Sequence, residues 1–118
     1  MSGDDSLADW VAEALEPMGT MTRRAMMGGR TLYLDGTIFA IVAQGELWFK
    51  ADAESDARWD AIGADRFTIG DEGRKQMTMN YRRAPSDVYD DAEAMRDWAE
   101  LALGAGRRRV KPKPKRKA

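Results

Sequence analysis

Residues 31–50 read TLYLDGTIFAIVAQGELWFK, three short runs parted by Asp35-Gly36 and Gln44-Gly45. Asp-Gly between alternating hydrophobic runs is a strong signal for a two-residue hairpin turn, whose backbone needs positive φ. Strands joined this tightly are antiparallel. The stretch therefore predicts a meander with strands at residues 31–34, 37–43 and 46–50. The middle run is apolar on both faces through Ile38, Phe39, Ile41 and Val42. It should lie centrally with both sides covered, or partly covered by a partner chain. In the third run Leu47 and Phe49 fall on one face, Trp48 and Lys50 on the other.

The flanks extend this sheet and add helices. Leu7, Trp10, Val11, Ala14 and Leu15 make one helical face after a cap at Asp5 or Ser6, and Glu16 is the last helical residue before Pro17. Residues 23–27 read as a short strand ending at Gly28-Gly29, where the glycines supply a bend or a close approach of backbones. A phosphate loop would need a Lys-Ser or Lys-Thr pair after those glycines and a helix opening there, and the chain has neither that pair nor that context. Residues 52–62 predict a short helix capped by Asp52 and stopped by Gly63. Residues 66–69 and 75–82 predict two more strands, joined by a hairpin loop at residues 70–73. In the second of these, Met77, Met79 and Tyr81 alternate with Gln76, Thr78, Asn80 and Arg82, which predicts one wet face. Asp90 or Asp91 caps a last helix with Met95, Trp98, Ala99 and Ala102 on one face, ended by Gly104 and Gly106. The fold class is α+β: an antiparallel sheet of five to six strands with an N-terminal, a mid-chain and a C-terminal helix, in the order α-β-β-β-β-α-β-β-α.

The chain has 118 residues, no Cys and no His. That length suits one domain able to bury a core without disulfides or metal. The missing residue types exclude disulfides, thiolate chemistry, imidazole acid–base catalysis and the usual zinc sites. No apolar run reaches the length of a membrane span, and the acidic start MSGDDSLADW does not resemble a signal peptide. A cytoplasmic protein is the expectation.

The net charge of −1 hides a split. Residues 107–118 carry eight cations and no acid: Arg107, Arg108, Arg109, Lys111, Lys113, Lys115, Arg116 and Lys117. The other 106 residues hold 11 basic and 20 acidic side chains, a net of −9. The division expected is a globular domain at residues 1–106 and a disordered basic tail at 107–118, because RRRVKPKPKRKA offers too little apolar surface to fold alone. Alternating Lys and Pro favours an extended chain. Eight such cations would bind nucleic acid or another polyanion without sequence preference and in a salt-dependent way, while the absence of aromatics rules out base stacking by the tail. The plain alternative is a solubilising terminus.

Other candidates have ordinary readings beside the sharp ones. Asp52, Glu54 and Asp56 begin like a calcium loop, but Ala57 and Gly63 stand where such a loop needs Gly and Glu, so a solvated helix face is the better reading. Seven methionines beyond Met1 could line an adaptable surface, but they more often fill a core. Arg23-Arg24 and Arg82-Arg83 could hold an anion or pair with surface carboxylates, and the second is favoured. No spacing singles out a catalytic, cofactor-binding or metal site.

Residues 18–106 resemble the N-terminal domain of the TfoX/Sxy family, bacterial proteins named for regulators of DNA-uptake competence. The resemblance rests on Arg24-Ala25-Met26-Met27-Gly28-Gly29, then Leu32-Tyr33-Leu34-Asp35-Gly36, Phe39-Ala40-Ile41-Val42 and Leu47-Trp48-Phe49-Lys50. Phe67-Thr68, Met79-Asn80-Tyr81, the turn from Pro85 to Asp91 and Trp98 follow in the family's order. Met27 stands where the family usually has an aromatic, and Arg30 where it commonly has glycine. The resemblance implies an α+β domain of a kind often dimeric, a regulatory role in transcription with a protein partner, and no catalytic residues or cofactor. Direct binding of nucleic acid through the tail, or of a small molecule between sheet and helices, are the other readings.

Overall fold

The computed structural model of the chain describes residues 3–26, 28–69 and 77–109. The elements are α1 (Gly3–Ala14), β1 (Met21–Met26), β2 (Gly29–Leu34), β3 (Thr37–Ala43), β4 (Glu46–Lys50), α2 (Asp56–Ala61), β5 (Arg66–Ile69), β6 (Met77–Arg83) and α3 (Ala92–Arg109). Short 3-10 turns occupy Glu16–Met18 and Ser86–Tyr89. The six strands form one antiparallel sheet in the order β1-β2-β3-β4-β6-β5. The α+β class and the order of elements agree with the sequence. The predicted hairpin loop at 70–73, the predicted strand start at 75–76, Met27 and residues 110–118 lie outside the described residues.

Both meander turns have the geometry that their residues demand. Asp35 and Gly36 have φ of 50° and 86°, and Gln44 and Gly45 have 57° and 76°, the paired positive φ of a type I′ hairpin. The glycine pair upstream divides the two roles foreseen for it. Gly28 takes φ of 86°, and a side chain on Gly29 would collide with the Val42 carbonyl oxygen.

β3 is buried on both faces, as its composition requires. One face of the sheet meets all three helices: Leu32, Phe39, Val42, Leu47 and Phe49 pack with Val11 and Leu15, Trp59, and Met95 and Ala99. The register slips between Leu32 and Tyr33 opposite Phe39, so Phe39 and Ala40 both reach this core. On the far face a second cluster consists of strand residues alone: Ile41, Ala43, Trp48, Phe67 and Tyr81.

Several boundaries differ from those the sequence suggests. α1 begins at Gly3, and the expected cap Asp5 instead receives Arg30 Nε at 3.2 Å. α2 is shorter than predicted and starts at Asp56, because Asp52 and Ser55 exchange hydrogen bonds of 3.0 Å in a turn ahead of it. Asp91 does cap α3, its Oδ1 accepting from the amides of Glu93 (2.9 Å) and Ala94 (3.2 Å). The C-terminal end of α3 is a correction: the helix passes Gly104 and Gly106 and runs to Arg109, so residues 107–109 are helical and not the start of a disordered tail.

Gly106 is needed for contact, not for stopping the helix. A Cβ there would strike the carbonyl oxygen of Ile38 and lie 2.9 Å from Thr37 Cγ2. At Gly104 the nearest atom would be Arg108 Nη1 at 3.4 Å, the end of a flexible side chain. The pair should therefore respond oppositely. Gly106→Ala is expected to destabilise the fold by about 1–3 kcal/mol through overpacking, even after its gain in helix propensity. Gly104→Ala is expected to stabilise it by up to about 1 kcal/mol. Urea titration of the two variants checks the difference.

Candidate functional surface

The sequence-predicted site residues fall into three groups. Arg107 is exposed on the last turn of α3. Arg108 is engaged: its Nε and Nη2 meet Asp52 Oδ2 and Oδ1 at 2.6 and 3.1 Å, and Nε lies 2.9 Å from Glu54. Arg109 ends the helix, and Lys111, Lys113, Lys115, Arg116 and Lys117 lie outside the described residues.

The forked bond from Arg108 holds the Asp52 carboxyl at about 2, against an ordinary value of 3.8, although partial burial works the other way. A carboxylate pKa depressed by folding stabilises above the ordinary value, and that contribution disappears as pH falls through the folded one. The tie should thus be at full strength above pH 3.8 and be lost toward pH 2. Its exposure to solvent keeps the worth of the pair small. Asp52→Asn should flatten this part of the acid limb of stability against pH, a comparison made by urea titration from pH 5 downward.

The acidic run once reminiscent of a calcium loop is dispersed. Asp52 and Glu54 serve Arg108, while Asp56 reaches Arg82 (3.2 Å) and Arg66 (3.8 Å). Among the described residues no group of three or more Asp, Glu, His or Cys could hold a metal. No helix among them is long and apolar enough to cross a membrane. Ser55 is buried and bonded to Asp52.

The two arginine pairs split because neighbours on a strand point to opposite faces. Arg23 takes Asp9 at 2.9 Å, whereas Arg24 lies over the Tyr33 ring at 5.9 Å. Arg82 was expected on a wet face. It is buried on the helix side of the sheet, 2% exposed, and pairs with Asp56 and Asp60. Arg83 stays exposed, bonded to Glu46 at 3.1 Å, 3.7 Å from Asp65 and stacked 4.9 Å over Trp48.

The sheet face away from the helices is thus a mixed aromatic and cationic surface. Arg24 covers Tyr33, Arg83 covers Trp48, and Lys50 lies 4.9 Å over Tyr81. Met26 and Ile38 are half-buried beside the apolar cluster beneath. Only the alternation of Trp48 and Lys50 hinted at this in the sequence. A second surface was not foreseen. A groove of about 460 Å³ lies between the exit of α2 and α3, lined by Ile62, Ala64, Asp65, Pro85, Asp87 and Trp98 among others. Across Arg83 a neighbouring hollow of about 440 Å³ ends at Tyr89, whose hydroxyl accepts the Leu47 amide at 3.0 Å. Burial raises the Tyr89 pKa above its usual value.

A family model described as TfoX N-terminal domain matches residues 13–106. The DNA transformation protein TfoX1 of Aliivibrio fischeri is 32% identical over 53 residues, 45% of this chain and 25% of that protein. The chain therefore covers about a quarter of the length of this curated relative. With the family match extending from the end of α1 to the last turns of α3, across the whole described sheet, the chain belongs to the TfoX N-terminal domain family.

Proposed function

We propose that this is a non-catalytic regulatory domain that acts with a protein partner in transcription, in the setting of the DNA transformation for which its relative is named. The observation that carries the reading is the helix-free sheet face. It sets Tyr33, Met26 and Ile38 beside Arg24, Lys50 and Arg83 over a cluster built from strands alone. Tyr, Met and Arg are the residue types enriched where protein surfaces meet, and a patch of this kind suits a partner with an apolar centre and acidic rim. The edge strands β1 and β5 offer a route to a homodimer.

Affinity capture from the native cell, with the intact chain and with Tyr33→Glu/Ile38→Glu as baits, tests this. An identified transcription regulator or polymerase component that is retained by the first and lost with the second supports it. Equal capture by both baits, or none of a transcription component by the intact chain, overturns it.

A second reading, polyanion binding through Arg107 to Lys117, is favoured by eight cations within twelve residues. Because Arg108 is held by Asp52 and Glu54, seven cations remain for phosphates, and the log–log salt slope on duplex DNA should approach about −6. A slope near zero would reject it.

A further inference from the structure

The hollows of about 460 and 440 Å³ share Arg83, Ala84 and Ser86 in their walls, so they adjoin along the Arg83 side chain. Each falls within the range of about 300–1,000 Å³ in which small-molecule sites lie. The larger one is partly apolar, through Ile62, Ala64, Ala84, Pro85 and Trp98. Ile62 stands out among the described residues as an exposed large hydrophobe, at 46%. The Trp98 ring is held in place by stacking on Trp59 at 4.8 Å. The charged side chains of the two walls are Arg83 against Glu46, Asp65 and Asp87, one cation to three acids. Arg83 is already engaged. Its Nε donates to Glu46 at 3.1 Å, its Nη1 lies 3.7 Å from Asp65, and its guanidinium covers Trp48. Asp87 and Ser86 are exposed, and among the described residues neither the carboxylate nor the hydroxyl has an ion-pair or hydrogen-bond partner.

We propose that this cleft binds a small organic cation, an ammonium group carried on an apolar body. The sign of the charge follows from the walls. An incoming anion must displace Glu46 or Asp65 from Arg83 and then face the remaining acids. A cation meets Asp87 with nothing to displace, and Asp65 holds Arg83 only loosely, at 3.7 Å. The apolar body follows from Ile62, Pro85 and Trp98, which gain by covering apolar surface, and an indole ring also attracts a cation to its face. Ser86 Oγ supplies an acceptor for an N–H of the head group. Arg83 connects the cleft to the helix-free sheet face through Trp48, so such a ligand would give the regulatory domain a chemical input. The binding itself does not depend on the regulatory reading.

The test is an amide-resolved NMR titration of the full chain at low salt, with no partner present. The probes are phenethylamine, tryptamine and hexylamine, each beside the alcohol and the carboxylate of the same body. At least one amine should shift the amides of residues 62–65, 86–87 and 98, saturating in the millimolar range expected for compounds of about ten heavy atoms. Its alcohol should bind about fivefold more weakly and its carboxylate more weakly still. Asp87→Asn, at an exposed position where folding is not at stake, should weaken the amine several-fold and leave the alcohol unchanged. That pattern supports the proposal. Amine and alcohol binding alike show an apolar hollow without charge selection and overturn it. A carboxylate that binds best overturns it by placing an anion on Arg83. Shifts confined to other residues, an Asp87→Asn variant that binds the amine as before, or no shift with any of the three amines overturn it as well.

Discussion

Trp59→Ala is expected to remove about 3–5 kcal/mol of folding stability, the range for truncating a large buried aromatic. The indole is fully buried. It is stacked between Phe49 of β4, at 5.7 Å, and Trp98 of α3, at 4.8 Å. It is also the one buried side chain of α2, a helix of six residues that is too short to persist without tertiary contacts. Losing the ring therefore opens a cavity and releases α2 from both neighbours. In a chain of this size the midpoint of thermal unfolding should drop by roughly 12–25 °C. Trp59→Phe should be far milder, at about 1 kcal/mol. Trp59 Nε1 is buried without a hydrogen-bond partner, so phenylalanine removes an unpaired donor and thereby offsets part of the lost packing. Urea titration of both variants separates the terms. A loss below 1 kcal/mol for Trp59→Ala would contradict the packing of α2 between sheet and α3.

The meander was readable because Asp35-Gly36 and Gln44-Gly45 leave the backbone few choices, and because Ile38 to Val42 offer no polar face to expose. The family's ordered motifs were readable for the same reason: they record turns and strand faces. What stayed hidden depends on partners far away in the chain. Gly106 looks like a helix stop until the Ile38 carbonyl is found against it, 68 residues earlier in the chain. Asp52 looks like a helix cap, and its main partner proves to be Arg108, 56 residues later. Residues 107–109 read as tail by composition, yet the helix continues through them, with Arg108 bound to the turn before α2. Of the candidate surfaces, the sheet face was half visible in the alternation of Trp48 and Lys50. The groove beside Ile62 and Trp98 was not, since it exists only once α2 and α3 lie side by side.

Arg82→Ala is expected to cost about 2–4 kcal/mol, and the order of its companions carries the argument. The guanidinium is 2% exposed on β6. It reaches α2 through Asp56 (3.2 Å) and Asp60 (2.9 Å) and donates to the Ala64 carbonyl at 3.0 Å. Breaking a buried ion pair by deleting one partner costs about 3–5 kcal/mol when the survivor is stranded. Here the survivors are carboxylates with side chains 25% and 66% exposed, so water relieves them and the upper end is not reached. Arg82→Met keeps the packing of the stem and removes the charge, and should cost less, about 1–2 kcal/mol. Arg82 Nε already lacks a hydrogen-bond partner, so methionine also removes a buried, unpaired donor. The opposite deletion, Asp56→Asn with Asp60→Asn, leaves the positive charge buried without an anion and should exceed both. Salt supplies the control. The penalty at Arg82 should persist at about 0.5 M salt because the group is shielded from ions, whereas Arg83→Ala, which breaks pairs at a side chain 46% exposed, should show a small effect that salt abolishes. If the double asparagine variant proves milder than Arg82→Met, the charge at this position is not held by α2, and the sheet and helix are joined by packing around Trp59 alone.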